Sequence, residues 1–330
     1  MKKILLVHTG GTFGMSASGS VEPLVPDNNV KGLKRLLSEL HRLADIDLIV
    51  PFTIDSAYMD LFLLKSLARL IYENREIYDG FVLIHGTDTL AYTASALSFM
   101  LLNFPKPIIL TGAQCPLSNP RSDAQNNLVN AVAVAVSGVL EVAVFFGSKL
   151  YRGNRTTKVS TWRYEAFDSP NYPPLGEVGL KISLCSPGET TRKPFDAFFE
   201  LDPSIIVVPV FPGIIDECLL AAFRSGAKSI IIEGYGAGTV PTRNSVLVQQ
   251  TEKAIKEGRI VAVNTRCRHG GVSLTRYESA QIMRALGVAS CKDMTIESSV
   301  VKLMYLQARY GTDVERIKQL FEMNLAGELS

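Results

Sequence analysis

An α/β chain of two domains, each built on a largely parallel sheet and the first larger than the second, follows from three observations. The length of 330 residues suggests two domains at ~150 residues each. A hydrophobic share of 47% with 20% charged residues supplies a core and argues against disorder, collagen-like repeats or a disulfide miniprotein. Short β-rich runs alternate with segments of helical spacing, and parallel strands need such crossovers, which bury both faces of a sheet.

The alternation reads in order. Ile4 to His8 is a strand, and Leu33, Leu36, Leu37, Leu40 and Leu43 fall at helical spacing. Leu48 to Val50 is a strand, Leu61 to Ile71 a helix, Phe81 to His85 a strand and Leu90 to Leu102 a helix. Ile108 to Thr111 and Val142 to Phe146 are strands flanking a helix over Asp123 to Val136. Between Ser183 and Pro203 the pattern lapses into a stretch with three prolines and several charges and no period, the mark of a connecting segment. The expected division is therefore 1–183 as an N-terminal α/β domain, 184–203 as linker and 204–330 as a C-terminal α/β domain. In the last part Ile205 to Val210, Ser229 to Ile232 and Ile260 to Val263 are strands. Asp216 to Phe223, Val246 to Lys256, Ile296 to Leu306 and Val314 to Phe321 are helices.

Several function classes are excluded early. Lys plus Arg at 34 against Asp plus Glu at 32 leaves +2 with no long run of one sign, so neither nucleic acid nor an acidic membrane is expected as partner. The longest apolar stretch, Ala131 to Phe146, is broken by Ser137, Gly138 and Glu141 and falls short of the ~20 residues of a spanning helix. The run Ile4 to Val7 is shorter than the ~7–15 residues of a secretory core, which places the chain in the cytoplasm. Five cysteines without a CxxC pair and four histidines without HExxH spacing point to neither a disulfide framework nor a metal site.

In a parallel sheet, ligands gather beyond the carboxyl ends of strands. Two such ends carry a Gly-Thr step, His8-Thr9-Gly10-Gly11-Thr12 and His85-Gly86-Thr87-Asp88-Thr89. The first is not GxGxxG, the chain has no Gly-Lys step for a phosphate loop, and no GxSxG elbow is present. What remains is a pair of threonines brought to one cleft by glycines that let the backbone approach a ligand. A threonine hydroxyl needs an adjacent base or a preorganised hydrogen-bond chain to attack. Asp88 follows Thr87 directly and also suits a cap on the next helix. Arg155-Thr156-Thr157-Lys158 supplies a lysine that acts as a base if partly withdrawn from water, or stays a solvated surface charge.

The set TGGT at 9–12, DSAYM at 55–59, HGTDT at 85–89, TGAQCPLSNPRSDAQNNLVNA at 111–131 and RGNRTTKVST at 152–161 resembles the bacterial-type L-asparaginases, in particular the cytoplasmic type I branch. The likeness continues in GYGAGTVP at 234–241 and the C-terminal AGELS, and so spans nearly the whole chain. It implies hydrolysis of the side-chain amide of asparagine to aspartate and ammonia through a threonine acyl-enzyme, with weaker activity on glutamine and no cofactor or metal. It also implies a homodimer or homotetramer. The catalytic candidates are then Thr12 as nucleophile, and Thr87, Asp88 and Lys158 as a hydroxyl-acid-base group beside it. Ser56 binds the α-carboxylate, Asp88 the ammonium, and backbone at Gly11, Thr87 and Ala113 lines the pocket. Spacing alone does not say which threonine attacks first.

The chain also departs from the pattern. The loop after Thr12 has no tyrosine before Pro26, where the family carries one that bonds the nucleophile; Val21 or Glu22 stands there, and Tyr58 offers either a phenol or a packed ring. Thr239 replaces an asparagine, and Glu233 an arginine used by a second, regulatory site in some relatives. Cys267 reads as a buried thiol. Two rivals follow: a non-catalytic amino-acid-binding protein on the same fold, and an amidotransferase-associated subunit. The latter normally carries an extra N-terminal domain, whereas here the first strand starts at residue 3.

Overall fold

The computed structural model describes residues 1–16, 25–26, 31–185 and 193–330. They form two compact units, Met1–Phe199 and Glu200–Ser330.

The first unit is built on strands β1 (Lys3–His8), β2 (Asp45–Ile49), β3 (Gly80–Ile84), β4 (Ile108–Thr111) and β5 (Val142–Phe146), followed by β6 (Lys149–Arg152), β7 (Gly176–Val178) and β8 (Ile182–Leu184). Among the described residues these make an eight-stranded sheet in the order β8-β7-β6-β5-β4-β3-β1-β2. The pairings among β1 to β5 are parallel, with Leu6 opposite Leu48 and Val82, and Ile84 opposite His8 and Thr111. The last three strands pair antiparallel. That extension lay outside the sequence reading, because its strands are short and mix Lys149, Arg152 and Glu177 among few apolar residues.

Helices α1 (Lys31–Leu40), α2 (Leu61–Glu73), α3 (Leu90–Met100) and α4 (Ala124–Ser137) cross between the parallel strands. Ile4, Leu6, Val82, Ile84, Ile109 and Phe145 form one core with Leu128, Ala131 and Val132 of α4 and Leu36 and Leu40 of α1. The alternate residues Leu5, Val7, Leu83 and Val144 are equally buried, so the sheet is covered on both faces. Such strands read as continuous apolar runs. Helix starts follow local chemistry: the Asp60 carboxylate accepts from Leu63 N at the head of α2.

Because β1 lies between β2 and β3, the chain reverses its direction of travel across the sheet there. The crevice beyond the ends of β1 and β3 is the topological switch point, where open α/β sheets bind ligands.

The stretch expected as linker is divided. Asp196–Ala197 pairs with Leu101–Leu102 and Phe195 and Phe199 contact Tyr72, so this part belongs to the first unit, while 186–192 lie outside the described residues.

The second unit carries four parallel strands in sequence order, β9 (Ile205–Pro209), β10 (Ser229–Gly234), β11 (Ile260–Thr265) and β12 (Ala289–Ser290). Helices α5 (Asp216–Arg224), α6 (Ser245–Lys256), α7 (Glu278–Ala285), α8 (Ile296–Tyr310) and α9 (Val314–Phe321) accompany them. Only Ala280 and Met283 of α7 are buried, which left it and the two-residue β12 without a readable period. The C-terminal tail is held by a fully buried ion pair between Lys302 of α8 and Glu328. Lys302 also donates to the carbonyls of Phe321 and Met323, and Glu328 accepts from the amides of Leu325 and Ala326. Among the described residues no helix is long and apolar enough to cross a membrane.

Candidate active site

Three loops meet in the crevice. At the end of β1 both the amide and the hydroxyl of Thr9 donate to Ile84 O at 3.0 Å, which ties this loop to the end of β3. Gly10 and Gly11 take positive φ, 104° and 73°, a region that glycine enters at low cost. Gly11 N donates to Ile54 O at 2.8 Å. A Cβ on Gly11 would lie 2.3 Å from Gly86 Cα, and one on Gly86 would lie 2.6 Å from Ser56 Oγ. The glycines thus permit loops 9–12, 54–56 and 85–88 to touch where any side chain would separate them. Thr12 opens a short 3₁₀ turn, Thr12–Gly14, at this junction and is partly buried.

The second loop carries the hydroxyl, acid and base. Thr87 is buried and its Oγ accepts from Lys158 Nζ at 2.7 Å. The same Nζ donates to Asp88 Oδ1 at 2.6 Å. Lys158 is therefore no solvated surface charge: its side chain is 20% exposed while that of Asp88 is 62% exposed, so the lysine faces inward and the carboxylate borders solvent. Asp88 is not the cap of α3 either. Thr89 holds that position without a side-chain cap bond, and its hydroxyl donates to Ser56 O at 2.8 Å. Lys158 is placed by a short antiparallel pairing in which it faces Phe167.

Ser56 is buried and its Oγ accepts from Asp88 N at 3.2 Å. Asp55 fixes the turn by accepting from Ala57 N. Ala113, also buried, follows β4. Beyond it stands a residue the sequence reading did not single out, Gln114, whose Oε1 lies 3.4 Å from Thr87 Oγ1 and whose Nε2 donates to Arg163 O at 3.1 Å. The Asp123 carboxylate accepts from the amides of Gln114 and Cys115. Asn127 joins Gly112 O to Gly147 N, locking the ends of β4 and β5. Both residues stand in the quoted 111–131 motif; their spacing of four on one helix was the available signal.

Two buried histidines stand behind the threonine loops. His8 Nδ1 accepts from Gly10 N at 2.9 Å. His85 Nδ1 lies 2.7 Å from Gly86 O, which only accepts, so Nδ1 carries the proton and Nε2 takes the Thr93 hydroxyl at 2.9 Å. Burial pushes each down to about 4, so both rings are neutral near pH 7.

Other expectations fare differently. Tyr58 is 76% exposed, not a packed ring. Cys267 is exposed, and the buried thiol is Cys291, which burial pushes up to about 12. Cys267 follows the end of β11 on a run of exposed residues, a position that its apolar character alone could not reveal. Glu233 pairs with Arg266 at 3.4 Å, and the Thr239 hydroxyl faces Tyr235 O within its own loop. Val21 and Glu22 lie outside the described residues. Among the described residues no group of three or more His, Cys, Asp or Glu side chains is placed to hold a metal.

Comparison with known proteins identifies the family. The family model "Asparaginase, N-terminal" matches residues 3–187, and "Glutaminase/Asparaginase C-terminal domain" matches residues 204–321. L-asparaginase 1 of Escherichia coli is 38% identical over 100% of this chain and 98% of its own length. The crystal structure of L-asparaginase I from Vibrio cholerae superposes with a TM-score of 0.89 at 36% identity, covering 100% of this chain and 99% of the other. The thermostable L-asparaginase of Thermococcus kodakarensis does so with a TM-score of 0.90 at 34% identity and 99% coverage of both. With both family models matched in order and a full-length relative at 38% identity, the chain belongs to the asparaginase family.

Proposed function

We propose that this protein hydrolyses the side-chain amide of L-asparagine to L-aspartate and ammonia through an acyl-enzyme on a threonine, with weaker activity on glutamine. The observation that carries this is the contact of Lys158 with both Thr87 and Asp88, on a loop whose backbone touches the one that presents Thr12. An amide hydrolase needs an activated hydroxyl, donors for a developing oxyanion and partners for the charged ends of its substrate.

Each requirement has an assigned group. Thr12 Oγ attacks the amide carbon, and the departing ammonia takes up the proton that Thr12 gives. Backbone N–H groups beside Gly11, whose own N–H is held by Ile54 O, and in the Thr87–Ala113 region stabilise the oxyanion. Water then attacks the ester; Thr87, its oxygen held by Lys158, positions that water, and the proton released returns to Thr12 as aspartate forms. Asp88, facing solvent, holds the substrate ammonium. The Ser56 hydroxyl accepts from Asp88 N and keeps its own proton to donate to the α-carboxylate. Asparagine and glutamine differ by one methylene, worth only ~1–3 kcal/mol in a pocket, which fits a shared but unequal activity.

The test is ammonia release by the purified protein from L-asparagine, D-asparagine and L-glutamine, with Thr12→Ala and Thr87→Ala alongside. Turnover of L-asparagine, cut by orders of magnitude in either variant, supports the assignment. Thermal stabilisation by asparagine or aspartate without ammonia release would make the protein an amino-acid binder instead.

A further inference from the structure

Within the first unit, Lys158 places Thr87 and Asp88, whereas Thr12 stands on a different loop. The element that sets Thr12 is the turn before it, and that turn is held by a side chain with no part in the reaction above. His8 ends β1, is buried, and its Nδ1 accepts from Gly10 N at 2.9 Å. Its ring also meets Phe13 edge-on, with centroids 6.0 Å apart and planes at 82°. One imidazole therefore grips the chain on both sides of Gly11-Thr12, through a hydrogen bond to the residue before and a ring contact to the residue after. Phe13 is itself buried and anchored by Leu117 N donating to its carbonyl at 3.1 Å.

We propose that His8 is a positioning residue for amide hydrolysis: its Nδ1 lone pair fixes the Gly10 amide and so orients the Gly11 backbone and the Thr12 hydroxyl toward the substrate. This rests on the reaction proposed above. The bond spans two residues, the same reach by which an asparagine side chain accepts from its own backbone two positions on. It requires the neutral ring with the proton on Nε2. Burial supplies that state by holding His8 at about 4. His85 is not equivalent, since it donates to Gly86 O and keeps that bond in either charge state.

The need for such a device follows from the conformation. Gly10 and Gly11 both have positive φ, and two successive glycines leave the turn many alternatives. A hydrogen bond at Gly10 and a ring at Phe13 remove them together with the bond from Gly11 N to Ile54 O. Reacting groups misplaced by ~1 Å can lose about 10² in rate. The charged ends of the substrate are assigned to Ser56 and Asp88 on the other loops, so loosening the Gly10 turn should lower kcat far more than it raises KM.

The experiment compares His8→Leu, which fills the site without an acceptor, with His8→Asn, which restores one two residues from Gly10. Steady-state ammonia release and thermal unfolding are measured for both. Expected are a fall in kcat of about ten- to a hundredfold with KM within about threefold for His8→Leu, and recovery of most of the kcat in His8→Asn. A folded His8→Leu with near wild-type kcat overturns the proposal, as does an asparagine variant no faster than the leucine one. If His8→Leu does not fold, His8→Val, suited to a strand end, takes its place. Failure of both to fold would make His8 a residue of the fold alone and overturn the positioning role. A wild-type protein that releases no ammonia overturns the reaction itself, which is read before any variant is compared.

Discussion

Replacing Lys302 by methionine should destabilise the second unit by about 3–5 kcal/mol. Lys302 and Glu328 are both fully buried, and the ammonium spends its donors on Glu328 and on the Phe321 and Met323 carbonyls. Burial pushes the Lys302 pKa down, with Glu328 opposing that shift. Without the lysine, the Glu328 carboxylate keeps the Leu325 and Ala326 amides but is left buried without its counter-charge. Removing one partner of a buried pair carries the desolvation cost of the other. Against a total of ~5–15 kcal/mol for a typical domain, the loss is large. Guanidinium unfolding followed by far-ultraviolet circular dichroism reads it as a shift in midpoint. Hydrogen exchange at Leu325 and Ala326 should accelerate in parallel. The double variant Lys302→Met with Glu328→Leu should cost less than the two single changes summed, by about 0.5–3 kcal/mol. A Lys302→Met protein within about 1 kcal/mol of wild type would refute the view that this pair holds the tail.

Three further outcomes follow from the site. Lys158→Met should cut L-asparagine turnover about 10²–10⁴-fold while leaving the unfolding midpoint nearly unchanged; equal rates would remove Lys158 from the reaction. Gly11→Ala should lower both activity and stability, because its Cβ would lie 2.3 Å from Gly86 Cα at a φ of 73°, and strain of this kind costs about 1–3 kcal/mol; unfolding curves and turnover together check it. His8 and His85 bind a proton more weakly folded, at about 4, than at the ordinary 6.5, so the unfolded chain takes up more protons between these values. The stability they supply is complete above pH 6.5, declines as pH falls toward 4 and is then lost, by about 3 kcal/mol for each histidine; unfolding titrations across that range measure it, and His8→Asn should flatten its share.

Much of the fold was legible because parallel strands buried on both faces leave unbroken apolar runs such as Ile108–Thr111 and Val142–Phe146. The antiparallel strands β6 to β8 were not, since Lys149–Arg152 and Gly176–Val178 carry too few apolar residues for a period. The glycine-threonine steps marked the crevice, because only glycine admits the approach of Gly11 to Gly86. The inward turn of Lys158 was open in the sequence: Arg155-Thr156-Thr157-Lys158 fits a surface as well as a pocket, and the contacts of its Nζ with Thr87 and Asp88 decide it. Gln114 and His8 act through contacts set by the chain path, and an amide or imidazole at a strand end has no spacing that announces such a role.

The acyl-enzyme is tested most directly by mass spectrometry of Lys158→Met quenched in acid during exposure to L-asparagine, with peptides mapped afterwards. The expected product is a protein heavier by one aspartyl group, with the added mass on the peptide that contains Thr12, because deacylation is slowed more than attack. Added mass on the Thr87 peptide would reverse the roles of the two threonines. An unmodified protein that still releases ammonia would contradict the covalent route.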